Sequence, residues 1–420
     1  MKLNKTKKNN LLDIIFSLLT PLIILLSLIN YYPNQKFFIW FFISSPLLSL
    51  LLIFRTFTVL IIYNDKKYRL SFVLIMISIL IFFITEKIIT FYIIFEFSLI
   101  PIVLVILSYG YQPERFQASI YILLYTIFSS LPFLMWILMS DQWFSDLENI
   151  FSNNSPHNSL IALIPVLPFL VKLPMWGLHL WLPKAHVQAP LGGSIILAGI
   201  LLKLGGFGLI RIFLFTNSNT LNNASPYLTS INFWALLIIR TLCLTIVDLK
   251  RLIAYSSIVH MALVILGVLS QRFIGYLGAL LAMVAHGVSS PILFLLANVN
   301  YSALKSRNIL LQKRIATRNP VLRLMWFLFL SANIAAPPRL NLLREILIGF
   351  STILLAGLLG VIFIGIRTIL GGSYNLYLFS SLQGVKKITS PFLFIKNKEA
   401  IIGVISVVTL YLTFIVLNLL

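Results

Sequence analysis

Ile164-Pro165-Val166-Leu167-Pro168-Phe169-Leu170-Val171-Lys172-Leu173-Pro174-Met175-Trp176 places one lysine inside a stretch that otherwise reads as membrane. A charge at the bilayer centre costs roughly 2.5–3.5 kcal/mol on insertion scales, so an intramembrane lysine marks a functional site by default. Proline removes a helix hydrogen bond and frees a carbonyl. In hydrocarbon such a break is tolerated where the backbone is buried in protein or lines a wet cavity. Pro174, with Pro165 and Pro168 ahead of it, therefore predicts a broken transmembrane helix with Lys172 at the break. The competing reading, a lysine snorkelling to the surface, fits poorly with Val171, Leu173, Trp176 and Leu178 around it.

The rest of the chain supports a membrane setting. Its 420 residues are 59% hydrophobic and 10% charged, with mean hydropathy +0.99, where a soluble domain carries about 25% charged residues. Counting apolar runs of spanning length gives thirteen: 11–30, 37–63, 70–85, 88–109, 117–139, 160–182, 190–215, 232–247, 252–270, 273–299, 321–350, 352–382 and 399–420. Arg55 interrupts the second, so the count is 13–14 helices in an all-α polytopic fold. The runs 273–299, 321–350 and 352–382 are too long for a simple crossing and predict bends or surface extensions. The basic start of the chain resembles a signal peptide, but no small-residue cleavage site follows, and Leu11 to Asn30 is long enough to span.

The net charge of +21 points first to nucleic acid, but the bases lie in short loops between apolar runs. With the basic N-terminus inside, the later inside loops carry 16 Lys and Arg; the outside loops carry Lys36, Lys87 and Arg272. That asymmetry follows the positive-inside rule, so the charge encodes topology. Cys243 is the one cysteine and cannot form a disulfide, zinc or iron–sulfur site by itself. With no Gly-rich nucleotide fingerprint either, redox chemistry must reside on another subunit.

Three further ionisable residues sit in apolar runs beside helix-disturbing residues. Glu96 lies in Phe91-Tyr92-Ile93-Ile94-Phe95-Glu96-Phe97-Ser98-Leu99-Ile100-Pro101, Lys203 in Ile200-Leu201-Leu202-Lys203-Leu204-Gly205-Gly206, and Glu345 follows Ala335-Ala336-Pro337-Pro338. Each has a plain alternative: a hydroxyl-capped structural carboxylate, a lysine directed at a loop, and an ion pair with Arg339 or Arg344. Burial penalises the charged form of an acid or a base and pairing opposes that penalty, so separating a Glu and a Lys changes the proton affinity of both. His286 and His260 are the relay candidates, since histidine titrates near neutrality; a hydrogen-bonded helix contact is the alternative for each. His179 and His186 flank Leu182-Pro183-Lys184 and read as structural. Broken helices in two matching positions point to inverted repeats around a midplane ion site. Pro174 and Pro337-Pro338 occupy such positions if five-helix repeats span 70–215 and 232–382, preceded by N-terminal helices over 1–69 and followed by a loop and last helix over 383–420.

These segments resemble the subunit-4 family of the proton-pumping NADH:ubiquinone oxidoreductase (respiratory complex I), in its mitochondrial form. The most specific stretch is Lys172-Leu173-Pro174-Met175-Trp176-Gly177-Leu178-His179-Leu180-Trp181-Leu182-Pro183-Lys184-Ala185-His186-Val187. Gln112-Pro113-Glu114-Arg115, Asp248-Leu249-Lys250, Ala254-Tyr255-Ser256-Ser257, Ala285-His286-Gly287 and Asn341-Leu342-Leu343 follow in the family order, and the likeness covers about residues 70–382. The resemblance implies an antiporter-like subunit of the membrane arm, in which Glu96 modulates Lys172, and Lys172 and Lys203 pass a proton through His286 towards Glu345. It also implies the mitochondrial inner membrane as location, and neighbouring antiporter-like subunits, supernumerary subunits and lipid, including anionic headgroups, as partners. NADH, flavin, iron–sulfur clusters and ubiquinone would belong to other subunits, with no cofactor, metal or nucleic acid on this chain. Gln188 stands where the family has a glutamate, Arg344 where it has a small residue and Arg251 where it has serine. Arg240 and Arg367 have no family counterpart and are read as contacts to lipid headgroups or partner subunits. Two rival readings remain: a subunit of a multi-component sodium/proton antiporter, and a non-pumping scaffold, against which the retained Glu96, Lys172, Lys203 and Glu345 argue.

Overall fold

The computed structural model describes residues 66–110, 112–139, 163–215, 225–312, 319–337 and 340–383. The expected spans 11–30, 37–63 and 399–420, together with Pro338 and Arg339, lie outside the described residues. The described part is built from helices α1 (Lys66–Ile84), α2 (Ile88–Phe97), α3 (Leu99–Tyr109), α4 (Arg115–Met139), α5 (Leu167–Lys172), α6 (Trp181–Gln188) and α7 (Leu191–Ile196). A π-helical turn, Leu197–Leu201, joins α7 to α8 (Leu202–Phe215). Then come α9 (Ser225–Thr245), α10 (Leu249–Leu269), α11 (Phe273–Leu304), α12 (Pro320–Ile334), α13 (Leu340–Ala356) and α14 (Leu358–Gln383). Among the described residues, seven helical segments are long and apolar enough to cross a membrane.

Burial orders these helices. In α10 and α11 almost every residue of the apolar stretch is inside the protein, whereas α4 and α14 turn most of theirs outward. Phe128, Met139 and Leu358 are 80%, 79% and 77% exposed, which suits helices bathed in lipid, where outward apolar residues carry no penalty. α11 is the central post: it packs on α7, the π turn and α8 on one side and on α10, α12 and α13 on the other. It runs for 32 residues, roughly 48 Å at 1.5 Å per residue, against a hydrocarbon thickness of about 30 Å. The helix is thus longer than a perpendicular crossing needs, in keeping with the expected bend or surface extension, and it ends at Lys305 in the left-handed conformation, φ 54°.

The expected span 321–350 is two helices, α12 and α13, parted at Ala335 (φ 68°), and α13 runs on to Ala356. The expected start of α9 at residue 232 is corrected to Ser225. The polar residues that suggested a loop bond within the helix itself: Thr229 Oγ1 donates to Pro226 O and Asn232 Nδ2 to Leu228 O.

Packing of α8 against α5 sets the distance between the two halves of the first bundle. A Cβ added at Gly205 would lie 3.0 Å from Lys172 Cβ and 3.0 Å from the Leu173 backbone nitrogen, and one at Gly208 would strike the Phe169 ring. Close helix approach through small residues is the usual solution in membranes. Gly205→Val is expected to lower stability by about 1–3 kcal/mol through overpacking, read as a lower melting temperature of the detergent-solubilised complex, while Val substituted at Gly365, which has open space around it, is expected to leave it unchanged.

Candidate functional site

The helix carrying Glu96 is interrupted where it meets Lys172. Ser98 separates α2 from α3, and its N–H donates to Ile94 O. Pro101 brings no backbone donor to Phe97, four residues back. Facing this interruption, Lys172 Nζ donates to Phe95 O at 2.8 Å and contacts Ser98 Oγ at 3.4 Å. The ammonium also lies 3.2 Å from the centre of the Phe95 ring, a favourable cation–π placement once water is gone. Lys172 is 2% exposed, so it does not snorkel. It is anchored to the backbone beside Glu96 rather than to the carboxylate. Glu96 Oε1 is buried with no hydrogen-bond partner; the Ser98 hydroxyl donates to Phe95 O instead of capping it.

The break after Lys172 follows from Pro174. Without a proline N–H, Met175 N–H bonds Leu170 O instead. That leaves Val171 O open, and Trp181 Nε1–H fills it at 3.0 Å. Helical structure stops at Lys172 and resumes at Trp181, with Gly177 at φ 90° in between.

Lys203 sits two residues past the π turn, a wide turn common at functional sites. Its Nζ donates to Ala198 O at 2.5 Å and lies 3.1 Å from His286 Nδ1. Lys203 is 1% exposed, which rules out a lysine directed at a loop. The His286 ring is 5.5 Å from that of His260. His260 Nε2 faces Asn333 Oδ1 at 2.5 Å, and its Nδ1 faces Arg344 Nη2 at 2.9 Å. Arg367 Nη2 donates to Glu345 Oε1 at 2.6 Å; Arg344 Nη2 is 3.8 Å from the same oxygen. The structure thus brings Lys203, His286, His260 and Glu345 into one continuous group and Glu96 and Lys172 into another, with α8 and α5 in contact between them.

Several placements depart from the sequence reading. Arg240 and Arg367 are each 2% exposed and meet neither lipid nor a partner. Arg367 is the main ion partner of Glu345, while Arg240 packs 4.9 Å over the Tyr374 ring. Arg344, expected as a candidate partner of Glu345, binds His260 more closely. Asn333 and Tyr374 were missed altogether: Asn333 Nδ2 donates to Tyr374 Oη at 3.0 Å and Asn375 Oδ1 at 3.2 Å. The readable signal was an amide four residues ahead of the Pro337 break. His179 and His186 stack on Trp176 and Phe294, in keeping with packing roles. Gln188 Nε2 donates to Glu114 at 2.6 Å, a contact that a second carboxylate would turn into repulsion. Pro337 lies in the α12–α13 break and is exposed.

The family described as NADH:quinone oxidoreductase/Mrp antiporter, TM matches residues 85–371, which hold Glu96, Lys172, Lys203, His260, His286, Asn333, Arg344, Glu345 and Arg367. The chain belongs to this family. It is 38% identical over 349 residues to NADH-ubiquinone oxidoreductase chain 4 of Albinaria caerulea, covering 81% of this chain and 79% of that one. Its fold matches a chain in the structure of respiratory complex I from Thermus thermophilus with bound NADH, with a TM-score of 0.81 and 24% identity over 88% of this chain and 80% of that chain. It also matches a chain of the Mrp complex from Dietzia sp. DQ12-45-1b, with a TM-score of 0.78 and 12% identity over 90% of this chain and 81% of that chain. Among the described residues the chain is helical and polytopic.

The buried Glu345–Arg367 pair makes a stability prediction. Removing one member of such a pair leaves an uncompensated charge and costs roughly 3–5 kcal/mol. Arg367→Leu is expected to lower the melting temperature of the solubilised complex sharply, and Arg367→Leu combined with Glu345→Leu is expected to recover most of the loss.

Proposed function

We propose that this chain is the subunit-4-type, antiporter-like subunit of a mitochondrial inner-membrane NADH:ubiquinone oxidoreductase, and that it moves protons along the buried row Glu96, Lys172, Lys203, His286, His260 and Glu345. The observation that carries the reading is the 3.1 Å contact between Lys203 Nζ and His286 Nδ1 inside a site closed to solvent. An ammonium N–H aimed at an imidazole lone pair is a proton donor and acceptor in place: one N–H bond breaks as the other forms, and no heavy atom travels far.

The two ends suit a switch. Lys172 is held by a carbonyl and a ring face, neither of which takes its proton, while the Glu96 carboxylate beside it has an unfilled oxygen. A small shift of α5 along α2 would exchange the carbonyl for the carboxylate and alter the proton affinity of both groups. At the far end the guanidiniums of Arg367 and Arg344 face Glu345. NADH, flavin, iron–sulfur clusters and ubiquinone belong to other subunits in this reading, so coupling to quinone reduction runs through neighbouring antiporter-like subunits. Supernumerary subunits and lipid complete the surroundings. The two broken helices, α5–α6 and α12–α13, are read as equivalent members of inverted repeats over 70–215 and 232–382.

In membrane vesicles carrying the assembled complex, Lys172→Ala is expected to lower the ratio of protons moved to NADH oxidised, with or without slower oxidation. An unchanged ratio with normal assembly would mean a scaffold. Sodium dependence of transport would favour the antiporter reading instead.

A further inference from the structure

Arg344 occupies a place that neither a plain ion pair nor helix packing explains. Its Nη2 is 2.9 Å from His260 Nδ1 and 3.8 Å from Glu345 Oε1. One nitrogen therefore stands between a candidate relay and the terminal carboxylate. Glu345 does not depend on it for charge balance, because Arg367 reaches the same oxygen at 2.6 Å.

The contact dictates a tautomer. A guanidinium only donates, so His260 Nδ1 must be the acceptor, carrying a lone pair and no proton. The other ring nitrogen agrees independently. Asn333 Nδ2 is committed to Tyr374 Oη and Asn375 Oδ1, which turns Asn333 Oδ1 towards His260 Nε2. An amide oxygen only accepts, so Nε2 must carry the hydrogen. Both sides of the ring are thus spoken for. In this arrangement His260 is a neutral Nε2–H imidazole whose one open lone pair, the one facing Glu345, is capped by Arg344.

We propose that Arg344 is a positioning residue that holds His260 in its Nε2–H form and closes the step from His260 to Glu345 until the guanidinium withdraws. The proposal rests on the proton path described above. Its hold on other partners is light: Arg344 Nη1 reaches Ala282 O only at 3.4 Å, and Nε has no partner although the residue is fully buried. Its helix, α13, starts directly after the break that separates it from α12. When Arg344 leaves, His260 Nδ1 and Glu345 Oε1 are separated by no more than the two contacts together, a span that a chain of one or two waters can fill. An N–H bond of His286, protonated from Lys203, breaks as an N–H bond forms at His260 Nδ1; that bond then breaks as an O–H bond forms on the Glu345 carboxylate, and His286 is left neutral. One proton has advanced, and His260 is again neutral. A return of the guanidinium blocks backflow.

The test is passive proton flow through the assembled complex in vesicles, under an imposed pH gradient and without NADH, followed with a trapped pH dye. Arg344→Met removes every donor and is expected to leak protons several-fold faster than the unmodified complex. Arg344→Gln can donate to or accept from Nδ1, so it is expected to leak as well, and it serves if the Met variant does not assemble. Arg344→Lys keeps a donor only and is expected to close the leak. Adding Glu345→Gln to either leaking variant is expected to abolish the leak, which a loosened fold would not do. Assembled Met or Gln variants as tight as the unmodified complex would overturn the proposal; so would failure of both to assemble, which would give Arg344 a role in holding the fold. Glu345→Gln alone separates the two readings by its proton-to-NADH ratio. If that ratio falls while Arg344→Met stays tight, the path stands and the gate does not; if it is unchanged, the path itself is wrong.

Discussion

In a bilayer every backbone donor and acceptor must find a partner within the protein, and the site depends on that constraint. At several helix interruptions a carbonyl accepts from a side chain brought in from elsewhere in the chain. Trp181 fills Val171 O at the Pro174 break, Lys172 takes Phe95 O at the Ser98 interruption, and Lys203 takes Ala198 O in the π turn. Asn341 adds a second donor to Ala332 O between α12 and α13, beside the Ala335 N–H. Two of these four side chains are the buried lysines themselves. The breaks are thus what allow an ammonium to exist at this depth, because a freed carbonyl offers the dipole that water would otherwise supply.

The two ends of the row use different chemistry. Around Glu96 the field is set by one lysine held by a carbonyl and a ring face, an arrangement with few fixed contacts and short reach. Around Glu345 it is set by guanidiniums: Arg367 in contact, Arg344 next to it, and Arg240 packed over Tyr374. A guanidinium is planar, carries five donors and stays charged, whereas an ammonium is a compact point charge that gives up its proton more readily. Lysine suits a group that takes and releases protons; arginine suits one that directs them.

Much of this was readable in the chain. The span pattern between residues 70 and 382 follows from runs of apolar residues, and the breaks follow from Pro174 and Pro337, because a proline cannot donate whatever surrounds it. Burial of Lys172 and Lys203 was legible from their neighbours, since a charge among twenty apolar residues has no water to reach. Arg367 was misread because its arginine lies near the middle of a long, largely outward-facing helix. Its partner is Glu345, 22 residues away, and no local pattern in sequence connects them. Asn333 looked like an ordinary helix-end amide, and the start of α9 was misplaced because hydroxyls that bond their own helix look like loop residues in sequence.

The sequence by itself determined that this is a helical membrane protein, that helices break near Pro174 and Pro337, and that Lys172 and Lys203 are buried, because those follow from solvation and from backbone chemistry that act locally. Only the tertiary structure decided who meets whom: Lys203 with His286, His260 with both Asn333 and Arg344, and Arg367 with Glu345. These partners are separated by 22 to 84 positions, and they meet because α11 packs against both halves of the bundle and small residues let α8 approach α5 closely. Proton transfer depends on contacts of about 3 Å, a length set by how whole helices pack rather than by the residues that line them.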